Sequence, residues 1–438
     1  MKISIISVNR ERIPDPLLPM APAIVAGVLR ESGHEVRVLD LCHEKDVGAA
    51  VASSLTTWQP DLVGISLRQL ENNQMIGHRS YLKEAKQVVE QVKGVCSCPI
   101  VVGGAAFSLF PGEALRFLGV PYGLAGEAEH SVTALVRCIE TGRPPSDVPG
   151  ACYRAGQRVI VNGPARVRSF SGLPSPAYDL VDSRKYVDEN AALPIESKRG
   201  CALRCSFCPE NAYKEGPRLK PPSITVDEIE RLTKEVDTNR LFFTDGVFHY
   251  PPEHAMALCG ELTRRQLDVR WLAGISPVGL SRTMLEAMKE AGCVGVALGL
   301  DAATDGMLKS YRKAFTQADI VRALTDLRAV GMPFAIYMLF GGPGETLDSV
   351  RRSLDFLDAQ APDKTVFISM GIRVFKGTDL ERTARREGLI KPRQNMLQPT
   401  YYLSRSLDES LLDRLEEYCQ THPGWFTTAS LMASLPRR

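Results

Sequence analysis

Short strands rich in β-branched residues alternate with amphipathic helices along almost the whole chain, and this restricts the fold more than any other feature. "KISIISV", "EVRVLDL", "PDLVGISL" and "PIVVGGAAF" read as strands, with helices such as "PAIVAGVLRESGH" and "SYLKEAKQVVEQVKG" between them. Each helix returns the chain to the start of the next strand, so the strands should run parallel. A parallel sheet is covered on both faces, which predicts a doubly wound, Rossmann-like domain over residues 1–145. Its ligand belongs beyond the carboxyl ends of the strands. No G-x-G-x-x-G follows the first strand, so the sequence gives no support to a dinucleotide site.

Residues 146–190, rich in Pro, Gly and Arg with one hairpin in "CYRAGQRVIVNG", read as a linker. The alternation resumes over 191–378 with about six βα units, fewer than the eight of a closed barrel. A partial, open barrel fits that count, with function at its C-terminal mouth. Residues 379–438 read as a mostly helical cap, and the fold class is α/β throughout.

Charge narrows the function by exclusion. Fifty-three Lys and Arg balance 51 Asp and Glu, a poor match to nucleic acid or an acidic membrane surface. Apolar runs such as "APAIVAGVL" are too short to cross a bilayer, and "MKISIISVNRERIP" lacks a signal-type apolar core. The cytoplasm is the expected compartment, where disulfides are disfavoured. Cys42, Cys96, Cys98, Cys138, Cys152, Cys259, Cys293 and Cys419 are therefore expected to be small buried residues or plain thiols.

The other three cysteines crowd into "SKRGCALRCSFCPEN" as Cys201, Cys205 and Cys208, with the spacing C-x₃-C-x₂-C. Chance would place such a cluster in a chain of this composition only on the order of 0.01 times. A tetrahedral zinc site wants four ligands, and no second cysteine or histidine pair of suitable spacing follows. His249 and His254 could complete one, but they lie across an intervening helix and strand. A redox pair needs only two cysteines. An iron–sulfur cluster held by three, with one iron left open, is the remaining candidate.

At these residues the chain resembles the radical S-adenosylmethionine superfamily, whose motif has an aromatic residue, here Phe207, before the last cysteine. The resemblance implies that Cys201, Cys205 and Cys208 ligate a [4Fe–4S] cluster. Its open iron would bind S-adenosylmethionine, and reduction would cleave that molecule to a 5′-deoxyadenosyl radical. An external electron donor such as flavodoxin or ferredoxin is implied too. "FFTDGVF" stands where the superfamily contacts the methionine amino group, which makes Thr244, Asp245 and Gly246 candidates. Asp301 in "ALGLDAATDG" would approach S-adenosylmethionine or substrate, as could Arg312 and Lys313. "YMLFGGPGET" is similar to the family's fifth-strand loop, where Gly341, Gly342 and Gly344 would admit adenine and ribose while Glu345 caps a helix. Arg373, expected to seek an anion inside the barrel, and Tyr402, if it points inward, are the catalytic candidates.

The first domain resembles the cobalamin-binding domain that precedes the barrel in cobalamin-dependent members. Ser66, Leu67 and Arg68, Gly103 and Gly104, Phe107, and Gly126 and Glu127 would then line the corrinoid. The fold's D-x-H-x-x-G is missing, and "SVNRERIPDPLL" offers no histidine beneath cobalt. Arg68 would lie near that face, unless it pairs with Glu71 or Glu127. The resemblance implies a methyltransferase acting on an unreactive carbon of a small metabolite. The rivals are a radical enzyme with a vestigial corrinoid domain that rearranges or cyclises its substrate, and a non-catalytic iron–sulfur protein.

Overall fold

A computed structural model describes residues 1–13, 15–210 and 216–434. They form two compact units: residues 1–72, 79–193 and 231–238 make the first, and 73–78, 194–230 and 239–438 the second.

In the first unit, strands β1 (Lys2–Ser7), β2 (Glu35–Asp40), β3 (Leu62–Ser66), β4 (Ile100–Gly103), β5 (Tyr122–Leu124), β6 (Ala151–Ala155) and β7 (Arg158–Val161) form one sheet in the order β2-β1-β3-β4-β5-β6-β7. The pairings from β2 to β5 are parallel. Ile3, Ile5, Leu29, Leu62, Leu124 and Leu135 fill the core. The order reverses at β1, so the crevice of this doubly wound fold opens at the carboxyl ends of β1 and β3. In register there stand Asp40, Ser7, Ser66 and Gly103.

The segment expected to be a linker belongs instead to this unit. Its hairpin, β6–β7, extends the sheet antiparallel to β5. Ala177 joins the core and donates its N–H to Ala23 O at 2.8 Å. Gly27, on the helix Met20–Glu31, lets Ser175 approach, since a Cβ there would lie 2.3 Å from Ser175 O. Proline and glycine marked turns, and the buried alanines between them carried too weak a signal to show packing.

In the second unit, β8 (Leu193–Ile195) leads into a short hairpin of β9 (Lys198–Arg199) and β10 (Arg218–Leu219). Then follow β11 (Arg240–Phe243), β12 (Arg270–Ile275), β13 (Cys293–Asp301), β14 (Phe334–Phe340), β15 (Thr365–Met370), β16 (Ile372–Arg373), β17 (Tyr401–Tyr402) and β18 (Trp425–Thr427). The main sheet runs β18-β15-β14-β13-β12-β11-β8, and helices alternate with its strands. Phe243, Phe248 and Trp271 pack with ring centroids 4.7–5.1 Å apart. Aromatic pairs of this kind add about 0.5–1.5 kcal/mol each beyond burial. The C-terminal region is more than a cap, because β18 adds a seventh, parallel strand beside β15. Three residues with no periodicity to read could not announce it.

Cys96 and Cys98 form a disulfide, contrary to their reading as plain thiols. Among the described residues no helix is long and apolar enough to cross a membrane.

Candidate active site

The cysteine loop begins where β8 ends, and charge fixes its base. Glu196 accepts from Arg199 at 2.6 Å and lies 3.7 Å from Lys220, which also reaches Glu228 at 2.8 Å. Burial alone would push the Glu196 carboxyl up, but the two cations together hold it below its ordinary value. Gly200, at φ +85°, turns the chain into Cys201, where a Cβ would meet Gly216 O at 3.1 Å.

Cys201, Cys205 and Cys208 are half-buried and not in disulfides. Burial raises all three thiols, Cys208 to about 12; Cys205 also feels Cys201, and Cys208 feels both of the others. A metal must therefore displace protons from them on binding. Among the described residues no three His, Cys, Asp or Glu gather around one ion-sized point. A polynuclear cluster spreads its ligands over separate irons and does not need such a point. His249 and His254 serve the backbone instead, with Nε2 at 2.8 Å from Val278 O and 3.2 Å from Ser197 O.

Two further segments are bonded to the loop. Ser206 donates its N–H to Tyr311 O at 2.8 Å and its hydroxyl to Ser310 O at 3.2 Å, and accepts from Leu380 N at 2.9 Å. Phe207 meets Tyr311 edge to face at 5.4 Å. The fully buried Tyr311 hydroxyl donates to Leu339 O at 2.7 Å and accepts from Gly342 N at 3.1 Å. Gly342 can only be glycine here, because a Cβ would fall 1.9 Å from the Tyr311 ring. Glu345 does not cap the next helix. Its carboxylate turns back to accept the N–H groups of Gly341 and Gly342, and the capping belongs to Thr346 with Ser349.

Several of the other candidate side chains are engaged within the protein. Asp245 is buried, accepts the N–H groups of Ser197 and Lys198 and the Ser197 hydroxyl, and pairs with the Lys198 ammonium at 3.3 Å. It anchors the approach to Cys201 and has little left for a ligand. Thr244 is exposed and donates to Ile195 O at 3.2 Å. Gly246 is exposed beside Cys201, where a Cβ would stand 3.8 Å from Sγ. Asp301 pairs with Lys313. Arg373 is buried with its fork on Val374 O at 2.8 Å and Met396 O at 2.9 Å, over the Phe375 ring. Tyr402 is buried and donates to Glu387 at 2.9 Å. The sequence reading overlooked Ser197, Lys198 and Tyr311. Only Lys198, a cation directly after an apolar strand, left a sign that could have been read.

In the first unit, Ser66 and Arg68 remain presented at the sheet's carboxyl edge. Arg68 is exposed and makes no hydrogen bond or ion pair among the described residues. Neither proposed partner takes it: Glu127 accepts from Val167 N at 2.7 Å and lies 3.7 Å from Arg166. Leu67 is buried, with its N–H on Gly103 O at 2.8 Å. Gly104 and Gly126 satisfy close backbone packing, since a Cβ would lie 2.5 Å from Leu67 O and 2.3 Å from Ala165 O respectively. Phe107 belongs to the core, fully buried against Gly123, and does not line a ligand surface.

Residues 195–357 match the family model of the radical SAM superfamily, and residues 6–136 that of the B12 binding domain. The tryptophan 2-C-methyltransferase of Streptomyces laurentii is 26% identical over 433 residues, covering 84% of this chain and 72% of that one. The hopanoid C-3 methylase of Methylococcus capsulatus is 26% identical over 341 residues, covering 74% and 61%. The fold matches the radical S-adenosylmethionine methyltransferase TsrM of Kitasatospora setae, solved with cobalamin and a [4Fe–4S] cluster, with a TM-score of 0.83 and 22% identity, covering 96% and 90%. The chain belongs to the radical S-adenosylmethionine enzymes that carry a cobalamin-binding domain. Three thiols on one loop, a glycine beside Cys201 and a parallel sheet edge bearing Ser66 and Arg68 fit the cofactors of that class: a [4Fe–4S] cluster, S-adenosylmethionine and cobalamin. Within that class, relatives of this chain are named both as methyltransferases and as cyclases.

Proposed function

We propose that the protein is a cobalamin-dependent methyltransferase, that its methyl acceptor is an unactivated carbon of a small metabolite, and that an external one-electron donor, of flavodoxin or ferredoxin type, supplies it. The observation that carries this reading is the union in one chain of a three-thiol loop at the mouth of an open barrel with a cobalamin-type sheet. Relatives named for methylating tryptophan, a hopanoid and cytidylyl-2-hydroxyethylphosphonate support a small-molecule acceptor. When bound, the cluster and S-adenosylmethionine supply hydrogen abstraction, and cobalamin carries the methyl group.

The chain's own residues prepare the site. Asp245 fixes the path of residues 197 and 198 into the cysteine loop, and Tyr311 and Glu345 set the backbone at Gly341 and Gly342. These bonds exist before any ligand arrives, so little reorganisation is left for the reacting state.

Anaerobic reconstitution with iron, sulfide and hydroxocobalamin tests the reading. The expected result is one corrinoid per chain and a methylated small molecule formed from S-adenosylmethionine. Stoichiometric corrinoid with a rearranged or cyclised product that gained no methyl group would favour the rival reading, with which a relative in Rubrivivax gelatinosus named as a cyclase agrees.

A further inference from the structure

Lys313 is a buried cation beside the cysteine loop. Its side chain is 6% exposed and pairs with Asp301, and its charge opposes the burial that raises the Cys205 thiol. The ammonium stands 5.6 Å from the Phe207 ring centroid and 5.8 Å from that of Phe315. Lysine is almost never buried unless paired, and the local backbone sets this one deliberately. The helix Asp305–Ser310 ends with Arg312 at φ +55°, donating to Lys309 O at 3.0 Å, while Lys313 N–H donates to Leu308 O at 2.9 Å. That closing motif fixes where Lys313 leaves the helix. Tyr311 O, two residues earlier, holds Ser206 N–H, so the cation and the cysteine loop are positioned from one turn. On the other side, a register shift in β13 and a φ of +61° aim Asp301.

We propose that Lys313 is a positioning residue whose fixed charge favours one-electron reduction of the cluster held by Cys205. The proposal rests on the reading of Cys205 as a cluster ligand. The reduced cluster carries one more negative charge, taken from the external donor, and a cation at its thiolate stabilises that state more than the oxidised one. Water cannot screen the interaction well, because Phe207, Phe315 and the Asp301 pair enclose the ammonium. Asp301 opposes the effect from farther off and keeps the cation in place.

The test is a dithionite titration of the reconstituted full-length protein, followed by the electron paramagnetic resonance of the reduced cluster. Lys313→Met, with iron and sulfide content equal to wild type, should be harder to reduce by at least tenfold in the equilibrium, about 59 mV for one electron. Lys313→Arg should stay near wild type. Asp301→Asn, which leaves the cation unopposed, should shift the midpoint upward and decides the matter if Lys313→Met does not assemble. Full cluster content with an unchanged midpoint in Lys313→Met, or an unchanged or lowered midpoint in Asp301→Asn, overturns the proposal alone. Wild-type protein that takes up no cluster overturns both the proposal and the reading beneath it.

Discussion

The mouth of the barrel and the carboxyl edge of the first sheet are built on opposite plans. Around the cysteines nearly every polar group is bonded within the protein: Asp245 to Ser197 and Lys198, Asp301 to Lys313, Glu345 to Gly341 and Gly342. At the sheet edge Arg68 is left without a hydrogen bond or ion pair among the described residues. Groups that must hold three thiols ready for a cluster have to be rigid before it arrives. A corrinoid is large and needs backbone edges and small side chains more than fixed charges. A buried, interlocked site is therefore expected to fail through loss of structure, and an open one through changes in its ligand alone.

Loss of a thiol should break the first region outright. Cys205→Ala is expected to abolish S-adenosylmethionine cleavage and to lower bound iron and sulfide in metal analysis, while corrinoid uptake by the first unit persists. Next in size is Asp245→Ala, which leaves the Lys198 ammonium buried and unpaired. Breaking a buried pair costs about 3–5 kcal/mol. Chemical denaturation should show a loss of that order, together with reduced cluster content. A variant of unchanged stability would mean that Asp245 is not the anchor described.

The same interlocking produces a pH signature. Burial pushes Glu345 up to about 7, against an ordinary value of 4.5. Between those values the native state binds more protons than the unfolded chain, so stability falls as pH rises. The full difference is about 3 kcal/mol, reached above pH 7. Glu345→Gln should flatten the decline of melting temperature between pH 5 and 8, and an equally steep decline in that variant would place the effect elsewhere.

How far the sequence revealed each region follows from the physics. The alternation of strand and helix is a long-period signal, and both parallel sheets were legible from it. The cysteine spacing is dense enough to stand out against composition, and so is the glycine run from Gly341 to Gly344. The direction of single side chains was not legible. The sequence shows Asp245 just after a strand and Arg373 on a later one, but burial and neighbours distant in sequence determine whom they face. Val374 and Met396 could not be named as carbonyl partners of Arg373 without the fold.

The smallest expected effect lies in the open region. Arg68→Ala should leave stability and iron content near wild type and change only the visible spectrum of the bound corrinoid. Loss of cluster in that variant would erase the contrast between the two regions.

The central claim, that the protein moves a methyl group onto carbon, is tested most directly by following the methyl itself. Reconstituted enzyme is incubated anaerobically with S-adenosylmethionine labelled in its methyl carbon, a reductant and a small-molecule extract, with and without corrinoid. The account predicts label in a new carbon–methyl bond of a small molecule, formed only when corrinoid is present. Consumption of S-adenosylmethionine with no label transferred, or transfer that proceeds equally well without corrinoid, would contradict it.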